Sequence, residues 1–109
     1  MKEKARIKNL TPHEVTLIMP DGTRHSWPPS GIVARCKTRK EARTGYPVPA
    51  VRERFGEVEG LPDPEPGVFY IVSRLVMQAC PHRHDLLSPT DLVRDEEGNI
   101  IGCRSFAVN

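Results

Sequence analysis

The stretch "VTLIMPDGTRHSW", residues 15–27, decides how the chain is read. Val15, Leu17 and Met19 alternate with Thr16 and Ile18, the period-two pattern of a strand. Pro20, Asp21 and Gly22 then supply the residues of a tight reversal, and residues 23–27 return as a second strand. A hairpin of this kind makes an antiparallel sheet the expected framework. On its N-terminal side, "RIKNL" at residues 6–10 reads as a further strand. On its C-terminal side, "PPSG" at residues 28–31 interrupts the chain, because two prolines lack amide donors and a glycine accepts positive φ.

"IVARCKTR", residues 32–39, resumes a strand. Between residues 37 and 54 the apolar pattern fades while charges accumulate around Pro47 and Pro49, so a long exposed excursion is expected, with at most a short strand or helical turn. "GLPDPEPG", residues 60–67, holds three prolines between two glycines and reads as a rigid extended connector. "VFYIVS", residues 68–73, is rich in β-branched and aromatic types and suits a central strand buried on both faces. Ser73 is placed to cap a short helix over "RLVMQAC", residues 74–80, with Leu75, Val76 and Ala79 on one face and an end near Cys80 imposed by Pro81. "DLVRDEEGNIIGCRSFAV", residues 91–108, reads as a C-terminal hairpin turning at Glu97, Gly98 and Asn99.

The expected fold class is therefore α+β, a small antiparallel β-sheet of five to six strands with one or two short helices, and a barrel-like closure is the alternative. The 109 residues suit one domain spanning residues 1–109. No apolar run approaches the roughly 18 residues of a membrane span, and "MKEKARIKNL" lacks the apolar stretch of a signal peptide. A soluble protein of the host-cell cytosol is expected. Cys36, Cys80 and Cys103 are too few and too scattered for a disulfide framework and read as reduced thiols.

The net charge of +2 hides an asymmetry: residues 1–54 carry 12 Lys or Arg against 5 Asp or Glu, and residues 55–109 carry 4 against 9. Such polarity can bind an anion at one end, pair the halves, or join subunits head to tail.

Six consecutive residues, "CPHRHD" at 80–85, hold a cysteine, two histidines and an aspartate. Cys80, His82 and His84, completed by Asp85 or Cys103, would offer zinc four ligands, but the second knuckle of a structural zinc site is missing. A nucleophilic role for Cys80 is opposed by its place at the negative end of a helix, which raises a thiol pKa. The reading preferred is a helix-ending turn in which the histidines and Arg83 complement the last carbonyls. No metal and no cofactor is expected. Asp95, Glu96 and Glu97 are consecutive and exposed, and no G-x-S-x-G, P-loop or H-E-x-x-H pattern occurs, so no enzymatic activity is expected.

Arg35, Arg94 and Arg104 sit in or beside predicted strands, where a guanidinium usually has a partner. Asp91, Asp95 or Glu57 could pair with them internally. Alternatively they converge on phosphates, which suit the bidentate fork of arginine, with Ser30 and the amides of "PPSG" adding an anion nest. Phe69 reads as core and Trp27 as a lid on the sheet, while Phe106 and Tyr46 are better placed to stack on a base. A separate set of cations, Lys37, Arg39, Lys40, Arg43, Arg52 and Arg54, would suit a nucleic-acid-binding module.

Read together, "KNLTPHEV", "PPSGIVARC", "GLPDPEPGVFYIVS" and "VRDEEGNIIGCR" resemble a family of small phage and prophage proteins over most of the chain. In scale and character the chain also resembles the anti-Thoeris sponges, oligomeric phage proteins that sequester cyclic ADP-ribose isomers or cyclic oligonucleotides. The resemblance implies a counter-defence protein that binds a cyclic nucleotide-type signal without cleaving it, as a homo-oligomer with pockets between subunits. On residue chemistry the binding residues would be Arg35, Arg94, Arg104, Phe106, Ser30 and Tyr46. A small nucleic-acid-binding protein and a structural or protein-interaction phage protein are the alternatives.

Overall fold

The structure is a computed structural model and describes residues 6–109. Eight strands and one helix follow in the order β1 (Arg6–Asn9), β2 (Val15–Ile18), β3 (Arg24–Trp27), β4 (Arg35–Arg43), β5 (Ala50–Glu59), β6 (Val68–Ile71), α1 (Arg74–Ala79), β7 (Leu86–Arg94) and β8 (Ile100–Ala107). Six of the strands form one sheet in the order β1-β6-β7-β8-β2-β3, and β4 and β5 form a separate two-stranded ribbon.

The hairpin at residues 15–27 forms as expected: β2 pairs antiparallel with β3, Val15 opposite Trp27, and Thr23 N–H donates to the Asp21 carboxylate within the reversal. The C-terminal hairpin also forms. It is longer than expected, because β7 begins at Leu86 and runs through Pro89 before reaching Arg94. In its turn the Asp95 carboxylate accepts from the amides of Glu97 and Asn99.

The sheet is mixed rather than antiparallel, since β1–β6, β6–β7 and β2–β8 are parallel pairs. Parallel neighbours need a crossover of a dozen or more residues. Between β6 and β7 that crossover contains α1, with Ser73 as its cap accepting from the Val76 amide. The helix buries Val76 and Met77, and Cys80 beyond it, while Leu75 turns outward at 38% exposure, so the apolar face lies one residue away from the expected one. Among the described residues there is one helix, of six residues, and the structure is mostly β.

The six-stranded sheet nearly closes on itself, because its edge strands β1 and β3 meet around Asn9. This buried side chain donates through Nδ2 to the carbonyls of His13 and Trp27, at 2.8 Å each, and accepts through Oδ1 from the amide and hydroxyl of Thr11. All four hydrogen-bonding positions of the amide are filled, which is what a buried asparagine requires. The "NLTPH" motif is thus a seam of the barrel. The hydrophobic core gathers Leu10, Val68, Tyr70, Val72 and Leu86 of the sheet with Val76 and Met77 of α1, and β6, paired on both sides, is a buried strand as expected.

Residues 37–54 differ most from the sequence reading. They are exposed, as expected, but they form most of the longest β-ribbon in the molecule rather than a loop. At its base Cys36 and Val58, opposite one another, pack against the core; beyond them the ribbon projects as an arm. The Cα radius of gyration is 16.8 Å, against about 13 Å for a compact chain of this length, so the molecule is elongated.

Candidate functional site

The "CPHRHD" turn forms, but its chemistry is structural and differs in detail from the expectation. Arg83 makes a two-pronged contact with Asp85, 2.8 Å at each nitrogen, and reaches the Pro62 carbonyl at 3.0 Å, tying the turn to the proline-rich connector. The Cys80 carbonyl accepts from the Arg83 backbone N–H at 3.0 Å, and the Asn109 side-chain amide donates to the Met77 and Cys80 carbonyls, while the Arg83 guanidinium points to Asp85 and Pro62. Burial pushes the Cys80 and Cys103 thiols up, which makes both poor nucleophiles. Among the described residues no three His, Cys, Asp or Glu side chains gather as a metal site requires.

The six residues expected to hold a nucleotide are not brought together. Ser30 is used internally: its amide donates to the Asn9 carbonyl and its hydroxyl bridges the amide and carbonyl of Ile32, so no anion nest is left. Phe106, half-buried, packs edge-on against Trp27 with ring centroids 5.9 Å apart, a contact within the sheet. Arg94 donates to the Gly98 carbonyl in its own turn. Arg35 and Arg104 are exposed on different elements, and among the described residues none of the three arginines makes an ion pair with Asp91, Asp95 or Glu57. The cleft in the barrel wall, lined by Val15, Leu92, Ile100, Ile101 and neighbours, encloses about 140 Å³ and contains no arginine. That is below the few hundred cubic ångströms of a typical small-molecule site.

Tyr46 stands apart from this set. It is 63% exposed at the tip of the β4–β5 arm, and the arm carries all six cations of the second sequence pattern. Its register sorts them by face. Arg39 lies opposite Arg54, Glu41 opposite Arg52 and Arg43 opposite Ala50. Directly paired residues share a face and alternate along each strand, so Arg39, Arg43, Arg52, Arg54 and Glu41 stand on one side. Thr38, Phe55, Lys40, Glu53, Ala42 and Val51 stand on the other.

On the arginine face Glu41 is shared, lying 3.3 Å from Arg54 and 3.9 Å from Arg43. Among the described residues Arg39 and Arg52 have no ion pair. Arg39 directly across from Arg54 is an unfavourable like-charge pair that the ribbon retains. Lys37 is engaged by Glu59 at 2.9 Å, and that contact raises its pKa. At the ribbon's register shift, a side chain on Gly56 would lie 2.8 Å from the Lys37 carbonyl, so a glycine is required there. A bulge of this kind bends a ribbon and increases its twist locally. Two open clefts follow the arginine face: one lined by Lys37, Arg39, Glu41 and Arg54, the other at the tip by Arg43, Tyr46 and Arg52.

Sequence reasoning named these cations but missed their common face. Alternation was visible in "RCKTRKEAR" and "AVRERFGEVE", yet it alternates charge with mixed residues instead of polar with apolar, so it gives no core-facing signal.

Comparison with known proteins gives no match to a family model, to a curated protein or to a solved structure.

Proposed function

We propose that the protein binds nucleic acid through the arginine face of the β4–β5 arm. The observation that carries this reading is the Arg39–Arg54 cross-strand pair, flanked by Arg43 and Arg52, with Glu41 and Glu57 the acids at the same cleft. Like charges held opposite one another weaken an exposed ribbon and are relieved when phosphates lie between them. Arg52 and Arg54 stand about 7 Å apart along β5, and Arg39 and Arg43 about 13 Å apart along β4, in reach of successive phosphates.

Fluorescence anisotropy with a labelled duplex and a labelled single strand tests it. Binding at low salt that weakens steeply as salt rises is expected, because each neutralised phosphate releases counterions. Absence of binding to either at low salt would dismiss the reading.

The tip cleft favours a second reading. Arg43, Tyr46 and Arg52 line an open space of about 660 Å³, which offers two guanidinium groups for phosphates and a ring for a base. A cyclic ADP-ribose isomer or cyclic oligonucleotide held there, within an assembly of several chains, would make the protein a sponge of the anti-Thoeris kind. Thermal stabilisation by such ligands, with the ligand recovered intact, is the expected result; no shift at millimolar ligand would exclude it.

A further inference from the structure

The tip of the arm has a composition that phosphate binding does not need. Between β4 and β5 the chain runs "TGYPVP", residues 44–49, with Tyr46 63% and Val48 64% exposed. These are among the most exposed large hydrophobic groups of the described residues, and they stand at the point of the molecule farthest along the arm from the core. The tip is also stiff. Gly45 holds a φ of +89°, and Pro47 and Pro49 fix the backbone on either side of Val48. A solvent-exposed turn with no partner would ordinarily be polar.

The last cations before the tip, Arg43 and Arg52, belong to the arginine face, so the phosphate contacts lead directly to the apolar residues. A two-stranded ribbon can lie in either groove of a duplex, and apolar wedges that unstack a base step enter from the minor groove. Nine residues of β4 span roughly 30 Å, close to one helical turn of DNA. An apolar, proline-stiffened point carried at the end of such a ribbon has the make-up of residues that enter between base pairs and unstack them.

We propose that the arm tip is a wedge for double-stranded DNA, in which Tyr46 and Val48 enter a base step and kink the duplex while the arginine face holds the flanking phosphates. This rests on the nucleic-acid reading of the arm. Tyr46 supplies a ring to stack on the opened base, Val48 fills the gap, and Pro47 and Pro49 keep both from folding back.

Two measurements on the full chain test it with one oligonucleotide duplex. Binding is followed by anisotropy, and unstacking by 2-aminopurine fluorescence together with end-to-end energy transfer. The expected result is a rise in 2-aminopurine emission and a shortened end-to-end distance on binding. Tyr46→Ala with Val48→Ser should abolish both signals and lower affinity roughly tenfold, while the salt dependence set by the arginines is unchanged. Both positions are exposed on a turn, so the variant keeps the fold, which circular dichroism checks.

Binding with an unperturbed, straight duplex would overturn the wedge and leave the nucleic-acid reading standing. Preference for single strands over the duplex would do the same. No binding to any nucleic acid would overturn both.

Discussion

Buried and part-buried side chains in this protein differ in whether their polar atoms are engaged. Those of Arg83 and Asp85 are engaged with each other and only 13% and 16% exposed. Removing one partner strands the other, so Asp85→Ala should cost about 3 kcal/mol in urea unfolding. The Arg83 guanidinium holds the Asp85 carboxyl below its ordinary value of 3.8. A depressed carboxyl contributes stability that is fully present above the unfolded-state pKa and is lost as pH falls through the folded one. The urea midpoint should therefore fall below about pH 4, and fall less in Asp85→Ala. Tyr70 is the opposite case, since its ring is fully buried and its hydroxyl has no partner among the described residues. Burial raises the pKa of that hydroxyl. Tyr70→Phe removes an unsatisfied group without opening a cavity, so unfolding should show unchanged stability or a gain of about 1 kcal/mol. A loss of more than that would mean that the hydroxyl has a partner.

Among the elements, the hairpins and the central strand were legible in the sequence because their signals are local. Asp21-Gly22 and the turn at Asp95 to Asn99 each fix a reversal, and the unbroken apolar run of β6 marks burial on both faces. The parallel pairings were not legible, because which strand neighbours which depends on contacts far apart in the chain; the helix between β6 and β7 was the one available hint. The arm was missed for another reason. A ribbon exposed on both faces needs no apolar stripe, and its identity lies in cross-strand pairs that only register reveals. An isolated two-stranded ribbon is marginal in water, so this arm is close to the limit at which its own pairs hold it. Arg39→Glu would place an acid opposite Arg54 in place of a like charge. It should stabilise the arm by about 0.5 kcal/mol, read as slower amide exchange along β4 and β5, while weakening any anionic ligand. Faster exchange in the variant would show that the Arg39–Arg54 pair is not a strain on the ribbon.

At the scale of the whole molecule, charge and shape are segregated together. The barrel supplies a rigid base closed by Asn9, and the arm carries seven Lys or Arg against four Glu outward, while the connector and the C-terminal turn are acidic. Among the described residues no helix is long and apolar enough to cross a membrane. A net charge of only +2 gives the molecule little general attraction for polyanions, so steep salt dependence can come only from a local cluster. The most direct measurement is the slope of log affinity against log salt for a duplex, in the unmodified protein and in Arg39→Glu. The account predicts a slope of about −3 to −4 for four arginines, reduced by at least about one in the variant. Equal slopes, or affinity indifferent to salt, would contradict the arm as the binding surface.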